Sequence, residues 1–193
     1  MIIMMHGLPV SGKSYLAEKM RSALEARGIR AEIVKSVATR DPNSTKKFTI
    51  ESIDERVEKT RKEKDDSYRK LLELAEEKLN AGIVPILDAT FHKRYRRMWA
   101  YRLARKLKED LVVVSCVFDD EDDIGKILRD RAGTSDKDAI LDSNEMRILM
   151  KEQADPLDND ETAKLIVFDR KKGVKAGFED EFVDVVRGLW QNT

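Results

Sequence analysis

The chain has 193 residues and 22.2 kDa, a size that suits one compact domain, and its 41% hydrophobic residues suffice for a core. Charged residues make up 38%, with 37 basic residues balancing 37 acidic ones for a net charge of +0. That composition excludes a disordered chain and a membrane-spanning one, and it gives no overall electrostatic case for a nucleic-acid or membrane-surface partner. Any such case has to be local.

Apolar, β-prone runs alternate with helical periodicity along the whole chain. Ile2 to Met5 reads as a strand and Tyr15 to Ala26 as a helix, with Gly28 placed as its C-terminal stop. Ala31 to Val34 is a second strand, and the polar, Pro42-containing stretch Thr39 to Lys47 is an exposed loop. A long helical pattern runs from about Ile53 to Asn80, stopped by Gly82, and leads into a strand over Ile83 to Leu87. Tyr95 to Leu107 is helical, Leu111 to Phe118 a strand, Ile124 to Arg131 and Asn144 to Gln153 short helices, Leu165 to Phe168 a fifth strand and Phe178 to Trp190 a last helix. Gly133 to Asp138 and Asp155 to Glu161 are loops. Continuous apolar strands joined by helices long enough to cross over predict an α/β fold with a parallel sheet covered on both faces.

The N-terminal MIIMMHG has none of the three parts of a signal peptide, so a cytoplasmic location is expected. The single cysteine, Cys116, cannot form an intramolecular disulfide. Inside LVVVSCVF it reads as a buried, inert thiol in a protein of a reducing compartment.

Directly after the first strand comes GLPVSGKS, which fits G-x-x-x-x-G-K-[ST] and opens a helix. A nucleoside triphosphate concentrates negative charge, and such a loop meets it with backbone N–H groups, a helix N-terminus and one lysine. The expected ATP-binding segment is Gly7, Leu8, Pro9, Val10, Ser11, Gly12, Lys13, Ser14 and Tyr15. Gly7 and Gly12 allow tight turns, Lys13 reaches the β/γ-phosphates, and the Ser14 hydroxyl can coordinate Mg²⁺.

The third strand runs into Asp88-Ala89-Thr90-Phe91, which sets a carboxylate and a hydroxyl at the C-terminal edge of the sheet, where open α/β folds bind ligands. If this strand lies beside the first, Asp88 comes near Ser14 and can hold Mg²⁺ through water. The alternative for Asp88 is a helix cap. DATFHKRYRR, with Arg97 six residues after the phenylalanine, resembles the small P-loop kinases of the polynucleotide-kinase, zeta-toxin and seryl-tRNA kinase type, the AAA_33-type kinases. The resemblance covers most of Met1 to Gly133. It implies a three-layer P-loop fold with a five-stranded parallel sheet, ATP and Mg²⁺ as cofactors, and an acceptor bound near Arg40, Thr90 and Arg97.

Such kinases close a short arginine-bearing lid, and Ile127 to Gly133 (ILRDRAG) is similar to it, which implies a lid at about 122–140 with Arg129 or Arg131 completing the site. The other reading of these arginines is a solvated pair answering the acidic run at Asp119 to Asp123. The chain departs from the family pattern S-D-x-x-R after the second strand. Here Ser36-Val37-Ala38-Thr39-Arg40 keeps the arginine and loses the aspartate. A valine cannot take a proton, so Asp41 or Asp88 serves as base, or the acceptor is a phosphate that needs positioning more than a base.

The helix after DATF carries Lys93, Arg94, Arg96, Arg97, Arg102, Arg105, Lys106 and Lys108 with no acid among them. Tyr95, Trp99, Leu103 and Leu107 form its expected buried stripe, leaving the positive residues outside either as a track for RNA phosphates or as a solvated face. His6 and His92 carry no metal-site pattern. The expected function is ATP- and Mg²⁺-dependent transfer of the γ-phosphate to RNA, a nucleotide or a metabolite. A nucleotide-binding switch or slow NTPase acting through a partner is the alternative.

Overall fold

The computed structural model describes residues 1–36, 53–132, 144–158, 165–172 and 182. The elements run β1 (Ile2–His6), α1 (Lys13–Glu25), β2 (Ala31–Lys35), α2 (Ile53–Asn80), β3 (Val84–Asp88), α3 (Arg94–Leu107), β4 (Leu111–Val117), α4 (Glu121–Ala132), α5 (Asn144–Glu152) and β5 (Leu165–Asp169). All strand pairs are parallel, in the order β2-β3-β1-β4-β5. β1 therefore lies between β3 and β4, with Ile3 opposite both Ile86 and Val112.

Side-chain alternation sorts β1 between two cores. Ile3 and Met5 pack with Leu16, Ala17, Met20 and Leu24 of α1, while Ile2 and Met4 pack with Leu71 and Ala75 of α2 and Leu103 of α3. The sheet is thus sandwiched between α1 on one face and α2 and α3 on the other, the three-layer α/β fold expected from the sequence. Cys116 is buried in the first core, and burial pushes its thiol up to about 12. Among the described residues, no helix is long and apolar enough to cross a membrane.

Several boundaries move for identifiable reasons. α1 begins at Lys13 because Gly12, at φ 91, caps it from the left-handed region. α4 begins three residues earlier than periodicity suggests. The Asp120 carboxylate accepts the Asp123 N–H at 3.3 Å, and the acidic residues Glu121, Asp122 and Asp123 suit the positive end of the helix dipole. The 53–80 pattern is one continuous helix of 28 residues. The expected helix 178–190 lies, apart from Phe182, outside the described residues.

The largest correction concerns α3. Tyr95 is 37% exposed, whereas Arg96 and Arg97 are 3% and 0% exposed and share the buried face with Ala100, Leu103 and Ala104. Two of the eight positive residues therefore face inward. Arg96 can do so because its guanidinium stacks over the Tyr68 ring at 4.7 Å and pairs with Asp65 at 2.9 Å.

Candidate active site

The glycine-rich loop leaves β1 at its C-terminal edge, squeezed between the ends of β4 and β3. Gly7 has φ +142, and a Cβ there would stand 2.4 Å from the Cys116 carbonyl oxygen and 2.8 Å from the Ser11 hydroxyl. Only glycine fits so close an approach. The Gly7 N–H donates to the Thr90 carbonyl at 3.1 Å, which ties the loop to the segment after β3. Lys13 is 8% exposed and turns its ammonium into the loop, donating to the Leu8 carbonyl at 2.7 Å, with the Ser11 hydroxyl at 3.5 Å. The N-cap of α1 is Gly12, which has no side chain to cap the helix, and Ser14 and Tyr15 stand exposed on the first turn. The N-terminus of a helix that starts on glycine suits an anion, because its first backbone N–H groups have no partner within the helix.

Asp88 is the last residue of β3, 8% exposed and in register with Lys35 of β2. The strand order puts β3 directly beside β1, the condition on which Asp88 and the loop meet. Cys116 feels both charges: beyond the dominant effect of burial, Lys13 lowers and Asp88 raises its pKa. A buried cation and a buried carboxylate therefore share one end of the sheet.

Beyond Asp88 the chain is held by a polar network. The Tyr68 hydroxyl lies 3.0 Å from the Thr90 hydroxyl, which lies 3.0 Å from His92 Nδ1, and Tyr68 also accepts the Phe91 N–H at 3.1 Å. Phe91 sits at φ 47 with its ring edge-on to Tyr68, centroids 5.0 Å apart. Burial first, then Arg96, Lys64 and Lys93, push His92 down to about 4. It is neutral at physiological pH.

Arg97, expected at the acceptor, is buried in the fold. Its guanidinium is enclosed and donates to three backbone carbonyls, Phe91 at 3.1 Å, Asp155 at 3.1 Å and Pro156 at 2.7 Å. It is a strut between the end of β3 and the 153–158 segment. Asp155 also accepts the Arg94 N–H at 2.7 Å, capping α3 from 61 residues away.

The fold thus gathers the 7–15 segment, Asp88 and Thr90 at one edge. Val37, Arg40 and Asp41 lie outside the described residues. Arg129 and Arg131 fall within α4, but their side chains are also outside what is described. Three neighbours escape sequence reading: Tyr68, Arg147 and Arg170. Arg147, 3% exposed, donates to the Pro9 carbonyl at 3.2 Å and the Phe118 carbonyl at 2.6 Å, and Arg170 donates to the Val10 carbonyl. Arg170 had one legible signal, its place just past a parallel strand. Tyr68 and Arg147 had none.

A family model described as an AAA domain, AAA_33, matches residues 2–156. No match was found among the curated proteins. Among solved structures, the chain is similar to Chaetomium thermophilum Kti12 in complex with ADP-AlF3, at 13% identity, 98% coverage of each chain and a TM-score of 0.69. It is also similar to Mycobacterium tuberculosis APS kinase CysC in complex with AMPPNP and APS, at 17% identity, 96% coverage of each chain and a TM-score of 0.61. A gluconokinase from Sinorhizobium meliloti 1021 matches at 15% identity over 98% of this chain and 93% of that one, with a TM-score of 0.58. At these identities the likeness is one of fold.

Proposed function

This chain belongs to the AAA_33 family of AAA domains, and we propose that it is a kinase that transfers the γ-phosphate of ATP, with Mg²⁺, to a hydroxyl or phosphate acceptor. The observation that carries this reading is the placement of the buried Lys13 and Asp88 at one end of the sheet, where β3 lies beside β1 and Gly7 is fastened to Thr90. Neighbours of the same fold that are named as kinases, or that hold ATP or ADP analogues, support it.

In this mechanism the loop amides and Lys13 hold the phosphates and the charge that develops on them. Ser14 and Asp88 fit a hard cation because both offer oxygen, one as an exposed hydroxyl and one as a buried carboxylate. Among the described residues no group of three or more His, Cys, Asp or Glu is placed to hold a metal ion; this pair would hold Mg²⁺ together with phosphate oxygens. When bound, the cation neutralises charge on the transferred group. Arg129 or Arg131, carried on α4 in a lid at about 122–140, completes the positive surround once closed.

The acceptor lies near Arg40 and Thr90. With Val37 in the place of an acid, Asp41 or Asp88 takes its proton, or a phosphate acceptor needs no base. Arg97 belongs to the frame of this pocket. The exposed Arg94, Arg102, Arg105 and Lys106 of α3, with Lys108 just past its end, favour RNA or a nucleotide as acceptor, in a single-domain cytoplasmic enzyme. The decisive assay offers γ-labelled ATP and Mg²⁺ with 5′-hydroxyl RNA, tRNA, nucleoside monophosphates, adenylylsulfate and pooled metabolites, counting free phosphate alongside. A labelled acceptor is expected, and none in any pool refutes the kinase.

Val37 and the enclosure of Arg97 favour a second reading, a nucleotide switch or slow NTPase acting through a partner. It would release free phosphate, faster with its partner, and label no acceptor.

A further inference from the structure

We propose that Arg147 and Arg170 are positioning residues that clamp the phosphate-binding loop on both sides of Val10. The proposal rests on the reading of Gly7 to Ser14 as a nucleotide-phosphate site.

Val10 is at φ 68, in the left-handed region that β-branched side chains resist. Its side chain is 4% exposed and packs with Phe118 at the end of β4 and with Ile124 and Leu128 of α4. The valine is thus an anchor between the loop and α4. That anchor leaves the loop in a backbone conformation its own residue disfavours, so something else must hold the conformation.

Two guanidinium groups do so. Arg147 Nε donates to the Pro9 carbonyl at 3.2 Å, across 138 residues, while its Nη2 donates to the Phe118 carbonyl at 2.6 Å. Arg170 Nη1 donates to the Val10 carbonyl, across 160 residues. Its guanidinium lies over the Phe118 ring at 4.8 Å, and its backbone N–H donates to the Val117 carbonyl at 3.0 Å. Phe118 therefore braces both arginines, one through its carbonyl and one through its ring.

The carbonyls of Pro9 and Val10 belong to the two peptide planes that flank the Val10 Cα. Their mutual rotation is the φ and ψ of Val10, so gripping both oxygens fixes that residue. A trans peptide points its C=O and N–H in opposite directions. Oxygens drawn outward to the arginines therefore turn the Val10 and Ser11 N–H groups inward. The Ser11 N–H donates at 3.3 Å to the Leu8 carbonyl, the same oxygen that takes the Lys13 ammonium. The clamp thus fixes the backbone of the loop whose amides would meet phosphate.

Calorimetric titration with Mg-ATP and Mg-GTP tests this on the full chain. Arg170→Lys and Arg147→Lys keep the charge and remove the planar fork, so a purely electrostatic contribution survives in them. Each is expected to weaken nucleotide binding about tenfold, the loss of one charge-assisted hydrogen bond. In a Val10→Gly background, where positive φ carries no penalty, the loss should shrink to about twofold. In a Val10→Ala background, which removes the packing and keeps the penalty, it should stay near tenfold. Half-exposed Arg170 keeps the test decidable if the buried Arg147 variant does not fold. Wild-type affinity in Arg170→Lys, or an equal loss in the glycine background, overturns the clamp while the phosphate site stands. Absence of binding of either nucleotide by the unmodified chain overturns the underlying site instead.

Discussion

The Tyr68 hydroxyl joins α2 to the end of β3 by reaching the Thr90 hydroxyl at 3.0 Å and the Phe91 N–H at 3.1 Å. Phe91 is at φ 47, so this bond satisfies a buried donor at a backbone position that a bulky residue disfavours. Tyr68→Phe keeps the ring contact and orphans that donor. It should cost about 1–3 kcal/mol, read as a lower urea midpoint with an unchanged slope.

Arg97 separates a frame role from an acceptor role. It is 0% exposed and serves three backbone carbonyls, which lysine cannot reach in the same fork. Arg97→Lys should destabilise the fold by about 2–4 kcal/mol. Unfolding and steady-state kinetics on one preparation check this. A stable variant with a raised acceptor KM would instead support the acceptor contact expected from sequence.

Lys13 is held by the loop and packs no core, so Lys13→Ala should leave stability within about 1 kcal/mol of wild type. Phosphoryl transfer should fall at least about 100-fold, because the charge on the transferred group loses its nearest fixed cation. Label transfer and thermal melts together decide it. Wild-type turnover in this variant would remove the loop from the reaction.

His92 should make the protein acid-sensitive. Burial, aided by Arg96, Lys64 and Lys93 and opposed by Asp155, holds its folded pKa at about 4, below the ordinary 6.5. Below pH 6.5 the unfolded chain binds a proton that the folded chain refuses, so stability falls from pH 6.5 to about 4 and then levels. The loss between pH 7 and pH 5 should be about 2 kcal/mol. His92→Gln should flatten that part of the profile in denaturant titrations run at each pH.

Much of this molecule is local chemistry and so was legible. The alternation of apolar runs and helical periods determined the parallel α/β sheet, and the spacing of Gly7, Gly12, Lys13 and Ser14 marked the pattern of a phosphate loop within eight residues. Asp88 was legible too, because the end of a parallel strand is a fixed place in such a fold.

What only the tertiary structure decided depends on contacts between distant segments. The positive residues of α3 were expected outside, but a long guanidinium can be buried where partners await it. Asp65 and Tyr68 on α2 supply those partners for Arg96, and the 153–158 segment supplies them for Arg97. The grip of Arg147 and Arg170 on Pro9 and Val10 spans 138 and 160 residues. Sequence periodicity reports which face of one element is apolar. It carries no record of which carbonyl on another element a buried charge will find, because that pairing exists only once the chain has closed on itself.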